Sequence, residues 1–279
     1  MRRLPHLGGD WPLLAPMAML FCGFFCGPLI LLVWVSFHND QDMTVPGIAM
    51  WTRFLGDPFY WNVVLDTLLL GVKTVAMTLV LGFCTGVIFL SAGPRFRSAL
   101  LFAIVLPLLL SVVVRTFAWI VILGKEGLVN SAAISLGFTA TPLRLLQTEL
   151  GLVISLAQIE LPLMLLPLLS VMARIDPNIL DASHALGASR WRTMFRVILP
   201  LSVPGLIAGS LLVFASSTAA FISQSVIGGG RLIYMPLVIW QQALVVYDWP
   251  FAAVVSIALL VSVLGILALI SALGRLART

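Results

Sequence analysis

Four ionisable side chains, Asp66, Lys73, Arg115 and Glu160, stand inside long runs of apolar residues. A charge at the depth of a bilayer costs about 3 kcal/mol or more unless it faces protein or water, so each is a candidate for binding, gating or ion transfer. Glu160 lies two residues before Pro162, whose missing N–H frees a backbone carbonyl and suits a bent cavity wall. A structural ion pair between Glu160 and Arg115 is the plainer alternative, because buried charges are usually paired. Asp66 and Lys73 are seven residues apart and fall on nearly one helical face, with Asp66 close to the outer interface, where water can solvate it.

Catalytic chemistry is hard to find. A nucleotide-binding loop needs a glycine-rich turn ending in Gly-Lys-Ser/Thr to wrap phosphates in N–H groups, and neither Lys73 nor Lys125 sits in one. If ATP drives this protein, another chain binds it. His6, His38 and His184 fall outside the apolar runs, and no Gly-x-Ser-x-Gly elbow is present. Cys22, Cys26 and Cys84 all lie within apolar runs and read as small buried hydrophobes, without a disulfide framework or a metal cluster. No catalytic residue, metal or bound cofactor is expected of this chain.

The most distinctive polar stretch is Arg174-Ile-Asp-Pro-Asn-Ile-Leu-Asp-Ala-Ser-His-Ala-Leu-Gly187. Asp176 predicts an N-cap, Pro177 the first helical position and Gly187 a left-handed stop. Ile179, Ala182, Ser183 and Leu186 recur at three- and four-residue intervals, which gives the helix a small, apolar face. A second helical stretch runs from Ser189 to Val197 and is expected to end before Pro200. So short a helix is unstable alone, and its apolar face calls for a partner groove. A helix lying on the membrane surface is the bland alternative.

The elements that position these residues follow from composition. Of 279 residues, 61% are hydrophobic and 10% are charged, with a mean hydropathy of +1.11. A water-soluble globular enzyme or a disordered chain is excluded, and an all-α polytopic membrane protein is expected. Six transmembrane helices are read near 11–37, 60–92, 99–123, 149–172, 203–227 and 249–273, in a single domain covering 1–279 with a polar loop at 173–202. The first run is too long for a signal peptide and is expected to remain. Arg2, Arg3, Arg95, Arg97, Arg174, Arg190, Arg192, Arg196, Arg275 and Arg278 fall on one side of such a topology, whereas the opposite loops hold Arg53, Lys125, Arg144 and Arg231. The excess of arginine places both termini and 173–202 in the cytoplasm. Trp11, Trp34, Trp61, Tyr60, Tyr247 and Trp249 read as interfacial anchors, and Gly23-x-x-x-Gly27 and Gly205-x-x-x-Gly209 as close helix contacts. The positive charge is scattered rather than gathered in a patch, so nucleic acid is not an expected partner.

The polar loop carries a family resemblance. Asp181-Ala182-Ser183, three further residues, Gly187, and then Ile198-Leu199-Pro200 resemble the "EAA" loop of the permeases of binding-protein-dependent ABC importers. Asp stands for the usual Glu, and Ser for the third small residue. Phe54-Leu-Gly-Asp-Pro-Phe-Tyr60 with Asp66-Thr67-Leu68, Val114-Arg-Thr-Phe-Ala-Trp119 with Gly127-Leu-Val-Asn130, and Ile227-Gly-Gly-Gly230 with Trp249-Pro250 are similar to the spermidine/putrescine-type branch. Around Phe221 the family often has an acidic residue just before and a proline three after, where this chain has Ala220 and Gln224. The resemblance implies a type I ABC importer permease fold in a bacterial inner membrane. It implies as partners two ATP-binding subunits, which hold ATP and Mg, a second homologous permease chain in a hetero- or homodimer, an extracytoplasmic binding protein, and membrane lipid. It also assigns Ile179, Asp181, Ala182, Ser183, Leu186, Gly187 and Pro200 to ATPase coupling; Glu160, Arg115 and Asp66, singled out by the cost of charge at membrane depth, are the candidates for the path or gate, together with Phe221 and Gln224 at the point of departure from the family.

Two classes of function remain in view. In the first, the chain is an ABC permease; the branch points to a polyamine, which Glu160 and Asp66 would suit, while Arg115 and Lys73 would suit an anion, and ferric iron or phosphonate are further alternatives. In the second, it is an ion-coupled carrier working alone, which would call for two related halves and mid-depth acidic sites. No internal repeat is detected, and the EAA-like loop has no role in such a carrier.

Overall fold

Among the residues described by the computed structural model, 11–276, the backbone is helical almost throughout, with one isolated antiparallel bridge between His38 and Pro46. The elements are α1 (Trp11–Ser36), α2 (Ala49–Gly56), α3 (Pro58–Ser91), α4 (Pro94–Val105), α5 (Val112–Leu123), α6 (Leu128–Ser135), α7 (Glu149–Met172), α8 (Pro177–Ala185), α9 (Arg190–Thr193), α10 (Leu199–Thr218), α11 (Phe221–Gly228), α12 (Met235–Trp240) and α13 (Trp249–Leu276). Five helices in this set are long and apolar enough to cross a membrane, and a bent pair makes a sixth if it counts as one span. The fold is that of an all-α polytopic membrane protein.

The bent pair is the run read from hydropathy as a single span at 99–123. The segments Pro94–Leu109 and Val112–Ser135 meet at 102°. Pro107 lacks the N–H that would continue a helix, Leu110 is extended, and the Ser111 hydroxyl accepts from the Val113 N–H to start α5 afresh. The run read as 203–227 is likewise two helices, because α10 stops at Thr218 and α11 begins at Phe221. At the other end α10 is continuous with α9. The expected stop before Pro200 is replaced by a π turn over Met194–Ile198, in which the Leu199 N–H bonds the Met194 carbonyl and the helix runs on through the proline.

The chain divides into two compact units. One comprises the residues up to Tyr60 together with Val238–Ala258. In it Phe54 stacks on Tyr60 at 5.6 Å, and Phe251 meets the edge of the Tyr60 ring at 5.0 Å. Tyr60 is therefore buried among rings, not the interfacial anchor expected, while Trp34, Tyr247 and Trp249 are exposed.

The other unit comprises Trp61–Leu237 and the residues from Leu259 onward. Its spine is α7 against α10. A Cβ at Gly205 would lie 2.8 Å from the Leu168 Cα, and one at Gly209 would lie 2.9 Å from the Met164 carbonyl oxygen, so glycine is what lets the two backbones approach. Leu70, Leu152, Leu156 and Ile227 form one apolar cluster, and Leu168, Met172, Ile198 and Leu206 another. The three cysteines are free, but all are exposed. Their apolar surroundings mark lipid-compatible surface as readily as core, so the expectation of burial does not hold. Arg2, Arg3, His6, Arg278 and the side chains of Trp11, His184 and Arg275 lie outside the described residues.

Candidate functional site

Local chemistry builds α8. The Asp176 carboxylate accepts from the Asn178 N–H at 2.9 Å, Pro177 opens the helix, and Gly187 closes it with φ +76°. Ser189 restarts the chain as the N-cap of α9. The Ser183 and Thr193 hydroxyls lie 2.8 Å apart and tie the two short helices together. Ile179, Ala182, Ser183 and Leu186 line a groove of about 560 Å³, with Leu186 88% exposed, so the expected apolar face is present and open. Asp181 points to the other side. With Leu180 it lines a second groove, of about 660 Å³, shared with Val87 and Leu90 of α3. Pro200 sits in the first turn of α10 and lines neither groove.

Arg192 and Arg196, which sequence reasoning left out of the site, also line the first groove. Their i, i+4 spacing was the available signal. Trp191 and Phe195, also four residues apart, stack at 6.0 Å and are exposed.

Deeper in the same unit, Glu160 is 6% exposed and has the Ser216 hydroxyl as a hydrogen-bond partner. Arg115 lies within Coulombic range of it, yet the ion pairs within 4 Å among the described residues are Arg53 with Asp248 and Lys73 with Glu149. Arg115 instead donates to the Ile159 carbonyl at 3.0 Å, and its buried Nε has no partner. The alternative of a direct Glu160–Arg115 ion pair is thus not what the geometry shows.

Lys73 is held by Glu149, in the first turn of α7 and 76 residues away, a partner invisible to spacing arguments. Asp66 is exposed on α3. Gln224, 1% exposed, donates to the Ser217 and Thr218 carbonyls and so satisfies the end of α10 across the break, while its Oε1 is unpartnered. Phe221 opens α11 and is half-buried. A buried contact of 3.0 Å between the Thr116 and Ser223 hydroxyls links α5 to α11. The structure therefore gathers Glu160, Arg115 and Ser216 but leaves Asp66 apart on its own surface.

Polar fastenings also shape the first unit. Asp248 accepts from the Arg53 guanidinium at 3.2 Å and from the Phe251 N–H at 3.2 Å, which caps α13, while Arg53 lies 4.1 Å over the Phe251 ring. After α1, the Asp40 carboxylate accepts from the Thr44 hydroxyl and from the Thr44 and Val45 N–H groups. These bonds, the Thr44 hydroxyl first, pull its pKa down to about 2.

Comparison with known proteins adds the following. The family described as "Binding-protein-dependent transport system inner membrane component" matches residues 78–275. The spermidine/putrescine transport system permease protein PotB of Haemophilus influenzae is 35% identical over 207 residues, 74% of this chain and 72% of that protein. PotB of Escherichia coli is 32% identical over 238 residues, 84% of this chain and 86% of the relative. A crystal structure of a bacterial ABC transporter involved in the import of the acidic polysaccharide alginate contains a chain that superposes with a TM-score of 0.75 at 18% identity, covering 95% of this chain and 96% of that one. At that identity the likeness concerns the fold.

Proposed function

This chain belongs to the family of binding-protein-dependent transport system inner membrane components and is a multi-pass permease subunit of an ABC importer, and we propose that it forms half of the path for a polyamine delivered by an extracytoplasmic binding protein. The other half is a second permease chain. Two ATP-binding subunits supply ATP and Mg, and both termini of this chain are cytoplasmic. The polyamine reading draws on the relatives named spermidine/putrescine permeases, together with carboxylates such as Glu160 that suit an alkyl-ammonium.

The observation that carries coupling is the form of α8. Asp176 and Gly187 stop the helix at both ends, and its apolar face of Ile179, Ala182 and Leu186 is left open by the described residues. A partner ATPase cleft is the natural seat for such a face. In this reading Ile179, Ala182, Ser183 and Leu186 enter the cleft, Asp181 borders it, Gly187 sets the turn, and Pro200 starts the helix that receives the movement. Glu160, Arg115 and Gln224 hold the middle of the path, with Phe221 at the break and Asp66 nearer the outside.

The test is uptake by the importer reconstituted with its own binding protein. Spermidine or putrescine should be accumulated and should stimulate ATP hydrolysis, and failure of both alongside uptake of an anion would overturn the polyamine reading. Gly187→Val introduces a β-branched residue at positive φ, and Ala182→Glu places an unpaired charge in the cleft. Both should reach the membrane in normal amounts yet lose stimulated hydrolysis. Wild-type hydrolysis in both variants would remove 176–187 from coupling.

A further inference from the structure

Glu149 opens α7, and its Oε1 accepts from the Lys73 Nζ on α3. Both side chains of this ion pair are nearly half exposed, Lys73 at 46% and Glu149 at 45%. Packing holds α3 to α7 without it, because Leu70 is buried in one cluster with Leu152 and Leu156, and a Cβ at Gly82 would lie 2.8 Å from the Met164 Cγ. Asp66, two turns from Lys73 on nearly the same face of α3, is exposed as well, and the buried Tyr234 lies within Coulombic range of both Asp66 and Glu149. Asp66, Glu149 and Lys73 together supply two carboxylates against one ammonium, and that ammonium ends a four-carbon alkyl stem. The same aminobutyl group makes up putrescine and one end of spermidine. We infer that Glu149 is a station for an incoming polyamine ammonium on the outer part of the path, and that Lys73 occupies it as a built-in stand-in until the substrate displaces it.

This rests on the polyamine reading above and adds to it a carboxylate that sequence reasoning did not single out. An ion pair so open to water is weakly held, so an ammonium arriving from outside can exchange with Lys73. The exchange keeps the Glu149 carboxylate paired throughout and leaves the freed Lys73 to water. A polyamine also brings a second ammonium for Asp66, which Lys73 cannot supply, and this favours it over a lipid ethanolamine, whose single ammonium sits on a shorter stem. The stand-in lowers apparent affinity, because the station is competent only while Lys73 is away. A carboxylate kept occupied in this way is also closed to casual monovalent cations.

The test uses the assembled permease and ATPase subunits in phosphatidylcholine nanodiscs, with the binding protein left out so that its own affinity does not mask the station, and reads the Kd of labelled spermidine. Lys73→Met should tighten binding about threefold. Lys73→Arg, whose planar fork grips a carboxylate through two N–H groups, should weaken it about threefold. Glu149→Gln should weaken it about tenfold, and where that variant does not accumulate, Glu149→Asp should weaken it about threefold. A plain tie between α3 and α7 loses the same contact in Lys73→Met and in Glu149→Gln, so weakening by both would overturn the stand-in, as would an unchanged Kd in Lys73→Met. Lys73→Arg keeps the charge, so wild-type binding there would reduce Lys73 to simple repulsion and overturn the exchange. Unchanged binding in Glu149→Gln, or no binding by either wild type or Lys73→Met, would overturn the station. If phosphatidylethanolamine in the nanodiscs erased the difference between wild type and Lys73→Met, the amine would be a lipid headgroup and the inference would fail. Uptake of spermidine from loaded binding protein, measured in parallel, keeps the two readings apart. Uptake without these shifts would leave the polyamine function standing and remove Lys73 and Glu149 from it, whereas the shifts without uptake would leave an amine site and overturn the polyamine function.

Discussion

Helices α1 and α7 are closely matched in apolarity, with mean hydropathies of 2.3 and 2.0 over their most apolar stretches, yet none of the α1 stretch and 67% of the α7 stretch is buried within the chain. An apolar side chain gains little by leaving lipid for protein, so helices associate through close packing and polar links. Both helices have small residues available. Gly205 and Gly209 of α10 bring that helix against Leu168 and Met164 of α7, whereas a Cβ at Gly23 or Gly27 of α1 would meet nothing within 4 Å. The same motif packs where a facing helix lies in the same unit, as α10 does against α7, and meets no neighbour among the described residues at Gly23 and Gly27. The segment leaving α1 is fastened by polar contacts instead, through Asp40, Asn39 and the bridge from His38 to Pro46.

The contrast is most exposed to attack at its glycines. Gly209→Val puts a Cβ 2.6 Å from the Met164 sulfur and 2.9 Å from its carbonyl, and thermal unfolding of the purified permease should show a loss of about 3 kcal/mol. Gly23→Val should change it by less than about 0.5 kcal/mol. Equal losses would mean that α1 is packed after all, and the comparison would collapse.

A functional version of the contrast sits at Glu160, a charge that α7 carries among its buried residues. Glu160→Gln keeps shape and hydrogen bonding while removing the charge, so uptake by the assembled importer should fall about tenfold with normal expression. Unchanged uptake across substrate concentrations would reduce Glu160 to a packing role.

A smaller effect is expected in the unit containing α1. Asp248→Asn can still cap α13 but loses its own negative charge beside Arg53, which is half exposed and partly screened. The cost should be about 1 kcal/mol and should shrink as salt is raised. A loss as large as that of Gly209→Val would show that the polar fastenings matter as much as helix packing.

The smallest expected effect is at Asp40. Its folded pKa of about 2 lies below the ordinary value of about 3.9, so its carboxylate stabilises the turn fully above the ordinary value. That contribution is lost as pH falls through about 2. The Thr44 and Val45 amide shifts should titrate with that low midpoint, and a midpoint near 4 would mean that the turn is open in solution.

Legibility followed the range of each interaction. Asp176, Pro177 and Gly187 bounded α8 in the sequence because caps and stops act between residues two to four apart, and the same range exposed the face of Ile179, Ala182 and Leu186. Pro200 misled because a proline ends a regular α-helix but not one that first opens into a π turn. The break after Leu110 was hidden by hydropathy, which averages over Pro107 and Ser111 without weighing backbone bonds. Arg192 and Arg196 join the groove only through the fold, since the Ser183–Thr193 contact sets their stretch beside α8.

By itself the sequence determined the solvent, the helical class and the short capped helix with an apolar face at 176–187, because burial cost and capping are properties of residue types and near neighbours. Tertiary structure alone decided that Lys73 meets Glu149, that Arg53 meets Asp248 across 195 residues, that Gln224 closes the end of α10, and that α7 is enclosed while α1 is not. Those outcomes turn on which surfaces the folded chain brings together. In a chain this apolar, many residues are equally suited to lipid and to protein, so residue type does not choose between them.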